Sequence, residues 1–134
     1  MIPDIEKTVT GYLKTELGVK VAGEMSADTK QEQVKVTQIM APAVGGVDAD
    51  HFINFHVQLD CYASDNGATG QGEAVTLARN TREAMRAMPE STFSGVVVTA
   101  VRFGGMSRIP DADFTPPRQR YILDCFIYAH AVSA

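Results

Sequence analysis

Motifs that carry chemistry are scarce in this chain. Only two cysteines, Cys61 and Cys125, occur among its 134 residues, and no C-x-x-C joins them. Neither a disulfide framework nor a thiolate metal site is encoded. Both cysteines lie among apolar neighbours in strand-like stretches, where buried free thiols are expected. H-E-x-x-H, G-x-S-x-G and Gly-Lys-Ser/Thr are all missing, and with them the local signatures of zinc peptidases, serine hydrolases and phosphate-binding loops. The chain is expected to be neither an enzyme nor the holder of a cofactor. No apolar run approaches the ~20 residues of a membrane span. The opening MIPDIEK lacks the basic-then-apolar order of a secretion signal, so synthesis and assembly in the cytoplasm are expected. A net charge of -4 argues against a surface that holds duplex DNA by neutralising phosphates.

The composition that is present, 45% hydrophobic with 21% charged, belongs to a globular protein. The length suits one domain, residues 1–134, with a single core and no separating linker. The unit at its centre is a strand over 52–63 followed by a helix over 70–88. In the strand Ile53, Phe55, Val57, Leu59 and Cys61 alternate with Asn54, His56, Gln58 and Asp60, which makes one face core and the other wet. In the helix Ala74, Leu77, Ala78, Thr81, Met85 and Met88 recur at spacings of three and four, a stripe that can lie on that apolar face. Pro89 stops the helix.

Before this unit, Pro3 and Asp4 open an amphipathic helix carrying Ile5, Val9, Tyr12, Leu13 and Leu17 on one face, and Gly18 is placed to end it. A short extended piece over 19–22, a polar loop over 23–32 and a strand marked by Val34, Val36 and Ile39 follow. The alternation breaks near Gln38, which predicts a bulge. Residues 42–50, with Gly45-Gly46, suit the wide turn of a hairpin. After the unit come a β-branched strand over 94–103, a loop over 104–117 and a last strand over 118–132. The fold class expected is α+β: one mixed sheet of four to five strands, with a long central helix and the amino-terminal helix packed on it. The strand, helix and returning strand form a crossover unit.

Lengths add a further expectation. A twelve-residue strand spans ~40 Å, whereas seventeen helical residues cover ~25 Å. The last strand is apolar on both sides, with Tyr121, Leu123, Cys125, Ile127 and Ala129 on one and Ile122, Phe126, Tyr128 and Val132 on the other. Such a strand wants cover on both faces. If both helices lie on one face, a second copy of the chain is expected on the other, because soluble oligomers are mostly homo-oligomers of closed symmetry. The competing arrangement places the amino-terminal helix on the second face within one chain.

Three features bear on function. Gly67, Gly70 and Gly72 sit where a phosphate loop would, in the wrong order for one, so a turn is the plain reading. His56 and Asp60 share the wet face but lie ~13 Å apart along the strand; only Asp124 or His130 from the last strand could bring a partner to either. The positive charges are segregated: all five lysines lie within the first thirty-five residues and all seven arginines from Arg79 onward. Arg79, Arg82 and Arg86 mark the outer side of the central helix, with Glu83 spaced to pair with Arg79. Arg102, Arg108, Arg118 and Arg120 flank the 104–117 loop, which also holds Met106, Ile109 and Phe114. Arginine favours interfaces, and apolar residues in a long loop suggest docking. Arg79, Arg82, Arg86, Met106, Arg108, Ile109, Phe114, Arg118 and Arg120 are therefore the candidate interface residues, with a solvated helix face as the competing reading of Arg79, Arg82 and Arg86.

Taken in order, an amino-terminal helix, a hairpin, a long strand running into HVQLDCYASD, a helix with LARNTREAMRAM and two closing strands resemble the tail terminator proteins of long-tailed bacteriophages, which are similar to tail-completion and head-to-tail joining proteins. The local feature is an alternating strand ending in Tyr62-Ala63-Ser64-Asp65, followed by a helix rich in Ala, Leu and Arg. The resemblance implies a homo-oligomeric, hexameric ring in the virion tail that caps the tail tube protein, stops its polymerisation and meets a head or neck connector protein. DNA would pass through the hole without specific nucleic-acid binding. Asp60 and Asp124 are candidates for the lumen, since fixed cations there would retain phosphates. Alternative expectations are another connector role, a small-molecule or regulatory module using 67–72, and a small enzyme using His56, His130 and nearby aspartates.

Overall fold

A computed structural model describes residues 4–24, 31–39, 53–64, 70–89, 92–93, 95–114 and 117–131. The elements are α1 (Ile5–Leu17), β1 (Lys20–Ala22), β2 (Gln33–Gln38), β3 (Ile53–Tyr62), α2 (Gly70–Arg86), β4 (Thr92–Phe93), β5 (Val96–Arg108) and β6 (Arg120–Ala131). They make one sheet in the order β1-β2-β3-β6-β5-β4. β1 and β2 are parallel and every other neighbouring pair is antiparallel. The fold is thus α+β with a mixed sheet of five strands of three residues or more, and the two-residue β4 adds a sixth at the edge.

Local chemistry explains the helix ends. Asp4 caps α1 by accepting from the Lys7 amide at 3.1 Å, and Gly18 closes it in the left-handed region at φ 67, a conformation that costs a side chain more than glycine. Both helices lie on one face of the sheet. The Tyr12 hydroxyl of α1 donates to the Ala84 carbonyl of α2 at 2.7 Å, and the apolar residues of both helices share one core with Val34, Val36, Phe55, Val57, Leu59, Cys61, Leu123, Cys125 and Ile127. Of the stripe expected on α2 and just past its end, Ala74, Leu77, Ala78, Thr81, Met85 and Met88 are all buried. Each large side chain so enclosed contributes roughly 1.5–3 kcal/mol. Buried Thr81 satisfies its hydroxyl on the Leu77 carbonyl at 2.7 Å and receives the Cys61 thiol at 3.7 Å.

Three expectations are corrected. The strand that begins near residue 96 does not end at 103: Gly104 and Gly105 lie inside β5, where the register against β6 shifts between Phe103 and Met106. A side chain at Gly104 would bring its Cβ to 3.1 Å from that of Asp124, so the glycine permits close approach at a bulge instead of ending the strand. The connection shrinks to 109–119, and Asp111 and Arg118 form a bridge across it. No bulge occurs at Gln38, because β2 pairs with β3 without a break from Gln33↔Tyr62 to Gln38↔Val57 and Ile39 lies beyond the strand. Glu83 pairs with Arg86, at 3.6 Å, instead of Arg79. The expected crossover unit is present: β3 connects through α2 to the parallel strand β5, with β6 inserted between the two. The hairpin turn at 42–50 and Gly67 lie outside the described residues.

Candidate functional site

Strand alternation puts Asn54, His56, Gln58, Asp60 and Tyr62 of β3 on the face away from the helices. The register sets them beside Tyr128, Phe126, Asp124, Ile122 and Arg120 of β6, with Lys35 and Thr37 of β2 on one flank and Ala100, Arg102 and Ser107 of β5 on the other. Among the described residues neither helix covers this face. Ile122, Phe126, Tyr128, His56 and Asp124 are each half-buried. The His56 ring stacks on Phe126, with centroids 4.5 Å apart, and its Nε2 meets the Asp124 carboxylate at 3.0 Å. Of the two cross-strand partners considered for His56, Asp124 is the one brought within reach. Among the described residues no group of three His, Cys, Asp or Glu could hold a metal ion.

One corner of the face is closed by the 109–119 connection. Tyr62 donates its hydroxyl to Asp111 at 2.8 Å and accepts from Arg120 at 3.3 Å. Arg120 also lies 3.6 Å from Asp60 and 3.7 Å from Asp111, and its Nε donates to the Ile109 carbonyl at 2.8 Å. Arg118, 0% exposed, sits over the Tyr62 and Phe114 rings at 5.1 and 5.5 Å and donates to the carbonyls of Ala63 and Gln31. Planar guanidinium chemistry suits this stacked, carbonyl-lined position.

The electrostatics follow from burial and pairing. Burial pushes the Asp60 carboxyl above its ordinary value, against the Gln58 amide and the charges of Arg120 and Lys35. Burial also acts to raise Asp111, but the Asp113 amide, the Tyr62 hydroxyl and Arg120 outweigh it and hold that carboxyl below the usual range. Burial and the bond to Asp111 push Tyr62 up to about 12. Both cysteine thiols are pushed up to about 12 by burial and are free, so neither is a thiolate nucleophile.

The residues singled out from sequence separate into three groups. Arg79 and Arg86 are exposed on α2, and Arg82 lies over the Phe103 ring at 5.1 Å. Arg108, exposed at the end of β5, donates to Gln119, and Ile109 is 46% exposed. Met106, Phe114, Arg118 and Arg120 are turned to their own domain: Met106 packs on the core, Phe114 edges onto Tyr62, and the two arginines belong to the polar corner. Asp60, 3% exposed and paired with Arg120, does not present a free charge to a channel, whereas Asp124 lies on the open face. Sequence reasoning missed Asp111 as the hub of that corner. Its one signal was position, in a connection whose ends are brought together by β5 and β6.

A groove of about 520 Å³ lined by Asp4, Glu6, Lys7, Thr10, Gly11, Lys14 and Gly23 lies along α1, on the helix side. It shares no residue with the open face. Among the described residues no helix is long and apolar enough to cross a membrane. No family model and no curated protein matches the chain.

Proposed function

We propose that this chain is a structural ring protein of a virion tail, which assembles as a hexamer on the end of the tail tube, ends its polymerisation and offers a surface to the head or neck. The observation that carries the reading is the second face of the sheet. Both helices pack on the other face, and on this second face Ile122, Phe126 and Tyr128 of β6 are only partly buried. An apolar surface of this kind, rimmed by polar groups, marks an interaction site. The order of elements supplies the resemblance to tail terminators, and the mechanism is mass action: burying the face against other subunits and the tube stabilises the capped end over the growing one. Assembly would take place in the host cytoplasm. The net charge of -4 agrees with a lumen that lets DNA pass without gripping it.

Polymerisation of the tail-tube protein encoded in the same genome, with and without the purified chain, tests the reading by electron microscopy. Tubes shortened and closed at one end are expected at saturating protein. Unchanged tube lengths would refute it. A role as another head–tail connector predicts binding to the neck protein with no change in tube length, so the same experiment separates the two.

A further inference from the structure

β5 is the longest strand of the sheet, thirteen residues, and is bonded to β6 along its length. On its other side β4 pairs only with Val96 and Val97. From Val98 to Arg108 no described strand occupies the outer edge, and Thr99, Arg102, Gly104, Gly105, Ser107 and Arg108 are exposed. The opposite edge of the sheet is the three-residue β1. A long open edge presents unpaired N–H and C=O groups that can bond to another extended chain.

The side chains beside this edge are basic. Arg102 lies on the open face over Tyr128 at 5.8 Å, and Arg82 lies on the helix face over Phe103 at 5.1 Å, so the edge has an arginine on each side. Arg79 and Arg86 continue the Arg82 stripe along α2, and Arg108 stands at the strand's end. Of the described carboxylates near them, Glu83 is 3.6 Å from Arg86 and Asp124 is 3.0 Å from His56. This concentration occurs in a chain of net charge -4.

We infer that the β5 edge between Val98 and Arg108 binds an extended, acidic segment of a partner protein by strand addition, its backbone pairing with β5 and its carboxylates meeting Arg102 on one face and Arg82 and Arg108 on the other. Charge complementarity selects this occupant. Two β5 edges paired with each other would set two arginine-flanked strands side by side, and like charges across a strand pair are destabilising. The β1 edge of a second copy, with Lys20 exposed, is too short to satisfy eleven residues and has the same sign. The register shifts at Val98/Ala100 and Phe103/Met106 twist the edge away from indiscriminate pairing and leave selection to the arginines. The inference does not depend on the ring, whose subunit contact uses the open face.

A fluorescent peptide of about eleven residues built of paired glutamates and paired valines, which sets carboxylates on both faces of a strand, its lysine counterpart and a single-stranded oligonucleotide of similar charge are the probes. Anisotropy should show the glutamate peptide binding at least roughly tenfold tighter than the lysine peptide, with affinity falling as salt rises. Alternate amides between Val98 and Arg108 should exchange more slowly by about tenfold in the complex, as expected when each gains a hydrogen bond. Arg102→Glu with Arg108→Glu, both at exposed positions, should reverse the preference while circular dichroism stays unchanged. Equal binding of the two peptides, no binding of either, or binding without protection of β5 would overturn the inference. Tighter binding of the oligonucleotide, abolished by the same substitutions, would do so too and would reassign the arginines to phosphate. Tube-length assays are untouched by any of these outcomes.

Discussion

Tyr62→Phe removes one oxygen from the corner of the sheet and leaves the ring in place. That hydroxyl donates to Asp111 at 2.8 Å and accepts from Arg120 at 3.3 Å, in a side chain that is 1% exposed. A hydrogen bond to a charged partner contributes ~1.5–3 kcal/mol, and the longer contact adds little. A loss of about 2 kcal/mol at neutral pH is expected, equivalent to about 7 °C in the thermal midpoint of a domain this size. The hydroxyl also has a pH signature. Burial first, and then the bond to Asp111, raise its pKa from 10.0 to about 12. A group whose folded pKa is raised stabilises fully below its unfolded value and loses that contribution as pH rises through the folded one. The difference between the wild type and Tyr62→Phe should therefore hold up to about pH 10 and shrink towards pH 12. The raised values of Tyr12, Cys61 and Cys125 are common to both proteins and cancel in that difference. Urea denaturation at one protein concentration across this range reads both effects. Asp111→Asn should cost about 1 kcal/mol less in the Tyr62→Phe background than alone, because the two share one bond. A cost below about 0.5 kcal/mol, or a gap that stays constant through the alkaline range, would refute the account of the corner.

Four further outcomes are expected. Asp111→Asn should destabilise at neutral pH and converge with the wild type in acid, because a depressed carboxylate stabilises above its unfolded value of 3.8 and loses that as pH falls through the folded one; urea midpoints at several acid pH values check it. Leu59→Ala, at a position 0% exposed in the central strand, should cost about 3 kcal/mol in the same assay. Gly18→Ala should cost about 1 kcal/mol, a pure backbone effect, since φ is 67 and nothing lies within 4 Å of an added Cβ; thermal melts read it. Phe126→Asp on the open face should lower the sedimenting mass of any oligomer while leaving the thermal midpoint of the monomer within a few degrees.

Much of the architecture was legible because it depends on short-range periodicity. Phe55, Val57, Leu59 and Cys61 alternate with polar residues, and strand sidedness follows from that alone. The α2 stripe and the Gly18 cap are equally local, and both are found where the pattern places them. The candidate interface was less legible. A run such as 104–120 gives an arginine or an aromatic no sign of which way it will face, and Met106, Phe114, Arg118 and Arg120 turn inward. Gly104-Gly105 read as a loop because glycine serves both turns and close approaches between strands, and only the neighbouring Asp124 tells them apart.

The residues themselves, then, determine the α+β class, the helix ends and the sheet face that joins the core, since each depends on neighbours within a few positions along the chain. Strand order, with β6 inserted between β3 and β5, depends on contacts between residues far apart in sequence. So do the burial of Arg118 between two rings, the meeting of His56 with Asp124 and the open edge of β5. Such pairings are chosen by how the whole chain packs, and no local pattern states them.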